Sequence, residues 1–182
     1  LALTGGLSRA LEQPTVLGVK LLMSFAAVMT GFLLHELAHK WMAQKYGCWA
    51  EYRGNRNGLL LALLMGAFGF LIAAPGAVMV AGHVTPRQHG HIAAVGPLTN
   101  IALALAALPF YLLLAGADRP LGWLGVLAQF LVIINIILGG FNMIPVPPLD
   151  GSKIMAWSSA AWGGIVAGIL ALAMVYWTIP PF

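Results

Sequence analysis

Four apolar runs, each about twenty residues or longer, follow one another along this chain. The first extends from about Val16 to Tyr46 and is apolar through Leu34. The second runs from about His91 to Gly116, the third from Leu121 until Pro145, Pro147 and Pro148 break it, and the fourth from about Ala160 to Thr178. The hydrocarbon core of a bilayer offers no water to backbone N–H and C=O groups, so a run of this length must satisfy them within itself, as a helix. Composition agrees, with 60% of the 182 residues hydrophobic and 8% charged, against about 25% charged in an ordinary soluble domain. Trp157, Trp162, Tyr176 and Trp177 stand near the ends of the fourth run, where aromatic residues anchor a helix at the lipid boundary. The fold expected is an all-α polytopic membrane protein, a bundle of about four to six transmembrane helices.

One stretch resists this description. Between Leu59 and Val84 the apolar sequence is interrupted by Gly66, Gly69, Pro75, Gly76 and Gly82. Its first half is helix-like, whereas "GAVMVAGHV" has the residues of a strand. A strand at membrane depth must lie against protein or line a wet cavity. A small β element between the first two core spans, returning along the active cleft, is therefore expected. With short loops, no repeat and no low-complexity linker, residues 1–182 read as one membrane-embedded unit. Residues 1–15 lack the pattern of a cleaved signal, which leaves targeting to the spans.

The 9 Lys and Arg exceed the 5 Asp and Glu, but they are scattered singly between apolar blocks, which suits membrane-boundary loops and not nucleic acid. The one cysteine, Cys48, excludes an internal disulfide and a multi-cysteine zinc site. Ionisable groups within spans cost about 2.5 to 3.5 kcal/mol each on insertion scales, so they are functional candidates. Glu12, Glu51 and Asp118 lie in terminal or loop sequence, which leaves Glu36 and Asp150. His35 and His39 share the segment of Glu36, while His83, His89 and His91 lie in or beside the boundary loop "GHVTPRQHGH".

His35 and His39 are four residues apart, so on a helix both imidazoles project from one face and can share a metal ion. Glu36 follows the first of them, turned by about 100 degrees. This is the H-E-x-x-H arrangement of zinc peptidases, in which a carboxylate takes the proton of an activated water. A catalytic zinc usually has three protein ligands, so one must come from elsewhere. Asp150, after the helix-breaking prolines, has two readings: it caps a helix beginning near Ser152, or it is the third ligand. The missing ligand favours the second.

Three motifs in order on successive segments, "HELAH" at 35–39, "GPLTN" at 96–100 and "NMIPVPPLDG" at 142–151, resemble the site-2 protease family of intramembrane zinc metalloproteases. The resemblance covers about residues 16–160. It implies one zinc ion on His35, His39 and Asp150, with Glu36 as general base and acid. It further implies that Gly96 and Asn100 contact the substrate backbone and that Asn142 orients the peptide or its oxyanion. Structural alternatives are close packing for Gly96 and Pro97, and interhelical hydrogen bonds for Asn100 and Asn142. Unlike larger relatives, the chain has no room for a PDZ domain between the histidine and "GPLTN" spans, and it resembles a minimal catalytic core.

The function expected is hydrolysis of peptide bonds in or near transmembrane segments, with a transmembrane protein or peptide as substrate and the lipid bilayer as surroundings. Lys40, Lys45, Arg53 and Arg56 after the first span place the site towards the cytoplasm of a prokaryotic cell membrane. The rival from another class is a membrane metal-ion transporter, using His35, His39 and Asp150 for transit and His83, His89 and His91 for collection. Glu36 separates the two, since transport has no need of a carboxylate beside the first ligand.

Overall fold

The first span forms helix α1, Pro14–Lys45, in a computed structural model that describes residues 14–54, 76–115 and 123–178. Gly47 ends it, at φ +75°. The Gly47 amide donates to the Gln44 carbonyl at 2.9 Å and the Cys48 amide to that of Ala43 at 3.0 Å. These paired bonds satisfy two of the carbonyls a helix end leaves open, and the left-handed residue they require is one that glycine adopts without strain. The chain turns directly into β1, Trp49–Gly54. β2, Gly76–Ala81, pairs with it antiparallel, from Trp49 opposite Ala81 to Gly54 opposite Gly76. The strand expected in "GAVMVAGHV" is present; its partner was not foreseen, and Glu51 and Arg53, read as loop, lie on it. The helical half of 59–84 lies outside the described residues.

α2, Pro86–Ala115, begins about five residues before the expected position. The Gln88 amide donates to Thr85 Oγ1 at 3.2 Å, and Gln88 Oε1 accepts from the Thr85 amide at 2.8 Å. This reciprocal cap, with Pro86 at the first helical position, starts the helix inside what composition suggests is a loop. His89 and His91 are consequently helical, and only His83 remains in the connection. α3 is Trp123–Asn142, α4 is Asp150–Trp157 and α5 is Ser159–Thr178. Ser158 is extended between the last two, and its Oγ accepts from the Ala161 amide at 3.1 Å, capping α5.

Among the described residues four helices, α1, α2, α3 and α5, are long and apolar enough to cross a membrane. α2 is the hub, packed against α1, α3, α4 and α5. Its inner face contributes Ala93, Ala104, Ala107 and Tyr111 to a core shared with Val132, Ile154, Ile165 and Ile169. The outer faces are as apolar as the core: Leu113 is 74% exposed and Trp177 75%, and Leu22, Phe25, Phe110 and Met174 also point outward. A water-soluble bundle would carry charges at such positions; lipid is the solvent that suits them.

Candidate metal centre

Three helices approach closely, and glycine makes the room at Gly31 and Gly96, while at Gly139 an added Cβ would make ordinary contact. A Cβ on Gly31 of α1 would lie 2.8 Å from Asn135 Oδ1, one on Gly139 of α3 would lie 3.4 Å from Asn100 Cβ, and one on Gly96 of α2 would lie 2.5 Å from His39 Nε2 and 2.6 Å from His35 Cε1. Gly96 therefore makes room for both imidazoles. We expect Gly96→Ala to displace the rings and lower metal content severalfold, as measured by metal analysis of the purified variant; full occupancy would contradict this packing.

Asp150 reaches the same point from α4. The connection after Asn142 folds tightly, with the Leu149 amide donating to the Val146 carbonyl at 3.0 Å, and Trp162 Nε1 pins the Met143 carbonyl at 2.8 Å. Gly151 presses on that carbonyl, where any side chain would overlap it. α4 thus starts against the end of α3, with Asp150 in its first turn, where the helix dipole favours a carboxylate. The capping alternative fails: the residue preceding the helix is Leu149, and the Asp150 carboxylate faces the histidines.

His35 Nε2 lies 3.1 Å and His39 Nε2 3.0 Å from Asp150 Oδ2, and the two nitrogens are 3.0 Å apart. Ligand atoms about 2.0–2.1 Å from a tetrahedral zinc would be about 3.3 Å apart, so the triangle has nearly the required edge. All three residues are buried.

The far sides of the rings explain why these atoms converge. His39 Nδ1 is 2.6 Å from the Ile92 carbonyl, which can only accept, so Nδ1 carries the proton and donates. His35 Nδ1 is 2.7 Å from Asn100 Oδ1. The Asn100 amide is oriented by its own partners, because Nδ2 donates to Asn135 Oδ1 at 2.8 Å and to the Gly31 carbonyl at 3.3 Å. Asn135 Nδ2 in turn donates to the Leu131 carbonyl at 2.8 Å. The relay ends on a backbone acceptor, so its polarity is set and His35 also carries its proton on Nδ1. Both Nε2 atoms then present lone pairs to each other and to a carboxylate oxygen. A single added proton relieves one edge of that triangle, whereas a metal cation satisfies all three donors. The donor set fits zinc.

Asn100, expected at the substrate, is fully buried behind the His35 ring. Asn135 is the residue that motif reading missed; the signal available was an amide inside the apolar run "FLVIINIILGG". We expect Asn135→Leu to weaken zinc binding by about 10- to 100-fold, the usual effect of losing such an outer partner, in a chelator competition titration. An unchanged affinity would dismiss the relay. Asn142 is half-buried and donates from Nδ2 to the Leu138 carbonyl at 3.0 Å, and none of its hydrogen bonds reaches the histidines or Asp150.

Glu36 is half-buried beside the triad, and its Oε2 accepts from the Val78 amide of β2 at 3.0 Å. Tyr52, opposite Val78 on β1, packs edge-on against Phe32 of α1, and burial followed by the charge of Glu36 pushes its hydroxyl above the ordinary range. Of the remaining histidines, His91 shares a hydrogen bond with the Tyr46 hydroxyl, Nδ1 to Oη 2.6 Å, and meets Trp157 edge-on, tying the end of α1 to α2 and α4. His83 and His89 are exposed, and neither joins the triad.

Comparison with known proteins bears on this geometry. The chain is 39% identical over 160 residues to MJ0611 of Methanocaldococcus jannaschii, a protein classed by name among zinc metalloproteases, and the match takes in 86% of this chain and 82% of that one. The chain belongs to this zinc metalloprotease family. That agrees with the site-2 protease resemblance of its motifs. Over 128 residues it is 32% identical to Rip3 of Mycobacterium tuberculosis, and over 146 residues 30% identical to YwhC of Bacillus subtilis, both classed by name in the same way. These matches cover 70% of this chain in each case, but 28% of Rip3 and 65% of YwhC. No family profile and no solved structure matches the chain. Among the described residues of this family member, His35, His39 and Asp150 are the group that could hold a metal ion.

Proposed function

We propose that the chain is an intramembrane zinc metalloendopeptidase of the site-2 type, which cleaves peptide bonds in or near transmembrane segments of other proteins. The observation that carries this reading is the convergence of His35, His39 and Asp150, with Glu36 beside them, within helices whose outer faces are apolar. His35, His39 and Asp150 would hold the zinc. When bound, zinc supplies an electrophile for the scissile carbonyl and lowers the pKa of water at its open position towards about 7. Glu36 takes the proton of the attacking water and delivers it to the departing amine nitrogen. Asn100 and Asn135 hold the His35 ring in the ligating tautomer, and Ile92 does the same for His39.

A helical substrate hides its carbonyls in its own hydrogen bonds, so it must be extended before attack. β2 is suited to that step. The Val78 amide points to Glu36 and hence away from β1, so the edge of β2 that is unpaired among the described residues lies on the side of the Glu36 carboxylate. A substrate segment pairing with this edge would lie alongside Glu36 in extended form. Lys40, Lys45 and Arg53, at the end of α1 and on β1, favour a cytoplasmic position for this face.

Detergent-purified protein tests the proposal when it is assayed for metal and offered a panel of single-span substrates. We expect about one zinc per chain, cleavage that a chelator abolishes, and recovery on adding zinc back. Cleavage indifferent to chelation would refute the proposal, as would equal cleavage of unstructured soluble peptides and spanning substrates.

A further inference from the structure

The two oxygens of Asp150 have different partners. Oδ2 faces both histidine nitrogens, while Oδ1 accepts from the Lys153 ammonium at 3.2 Å, one helical turn along α4. The Asp150 side chain is 8% exposed and that of Lys153 35%. Lys153 also lines an open cavity of about 270 Å³ with His89, Ser152 and Trp157, so its ammonium is reached by water. A wet pair of this kind contributes little to stability. Its consequence is geometric, since a carboxylate whose one oxygen is held from behind can turn only the other towards the metal.

We infer that Lys153 is a positioning residue that makes Asp150 a one-oxygen ligand and thereby keeps the fourth metal position free for water. The inference rests on the zinc-centre reading above. With one oxygen from Asp150 and one nitrogen from each histidine, the protein supplies three donor atoms and a tetrahedral ion retains one open position. Freed from Lys153, the carboxylate can rotate about its Cβ–Cγ bond and bring Oδ1 to the ion as a fourth protein donor. With water retained, the ion would then be five-coordinate, and the water would be less strongly polarised and less well aligned beside Glu36. The chain between the two groups is short and helical, so the hold on Oδ1 is set by the backbone of α4 and is independent of substrate.

Cobalt(II) loaded in place of zinc tests this, because its visible absorption is intense when four-coordinate and falls as the coordination number rises to five. Parent protein, Lys153→Met and Lys153→Arg are each loaded with cobalt, and their metal content, spectra and cleavage kinetics are compared. We expect near-equal metal content in all three. The absorptivity of Lys153→Met should fall severalfold, with kcat lower by about 10- to 100-fold and KM little changed, whereas Lys153→Arg should restore both because it still donates to Oδ1. A Lys153→Met spectrum identical to the parent's would overturn the inference, and so would failure of Arg to rescue. Loss of cobalt from the Met variant alone would overturn it too, by showing that Lys153 serves affinity and not coordination number. Absence of cobalt binding in the parent protein would instead strike the metal-centre reading itself.

Discussion

Replacing Glu36 with Gln is expected to leave zinc bound at the parent level and to lower peptide cleavage by about 10²- to 10⁴-fold, the contribution of a positioned general base. The separation of the two effects follows from the geometry. Glu36 is outside the ligand triangle, so neither His35, His39 nor Asp150 loses a partner. The amide oxygen of Gln can still accept from the Val78 N–H, so β2 keeps its attachment to α1. What disappears is the capacity to take a proton. Metal analysis and single-turnover cleavage of a spanning substrate check this together; cleavage at the parent rate with full metal would remove Glu36 from the mechanism.

Asp150→Ala is expected to have the opposite signature, with the metal itself lost. Removing a direct donor should weaken binding beyond the roughly 10- to 100-fold that follows loss of an outer partner. The substitution also leaves Lys153 facing two imidazoles without the intervening carboxylate, which raises the cost of placing a cation there. Chelator competition measures the affinity, and thermal unfolding separates metal loss from collapse of the bundle. Retention of zinc at the parent affinity would mean that Asp150 is not a ligand. The two variants together distinguish a hydrolytic centre from a mere metal-binding cluster, because only the former needs a residue whose loss spares the metal and stops the chemistry.

Much of the site is legible along the chain because its signals are local. The four-residue spacing of His35 and His39 specifies a shared helical face without any knowledge of neighbours. The four spans follow from length and apolarity. Other local signals were present but masked by composition: "TPRQ" is a capping box within a polar stretch, and it starts α2 early enough to put His91 against Tyr46 and Trp157. "KYGCW" likewise ends α1 at Gly47 and delivers β1. That strand carries Glu51 and Arg53, so its residues alone do not separate it from a charged loop, and pairing with β2 decides its conformation.

The sequence alone determined that this chain crosses a membrane, that it carries an H-E-x-x-H pair at the end of a span, and that Asp150 has an unusual place after the prolines. These are properties of spacing and solubility, and each is contained in a few consecutive residues. Only the tertiary structure decided that Asp150 points its Oδ2 at both histidines and its Oδ1 at Lys153, that Gly96 is space for two imidazoles, and that Asn100 and Asn135 set the tautomer of His35. Apart from the Lys153 contact, which spans three residues, those facts depend on contacts between residues 35 to 115 positions apart. Such direction is created when three helices pack to within a side chain's length of each other, and no local pattern records it.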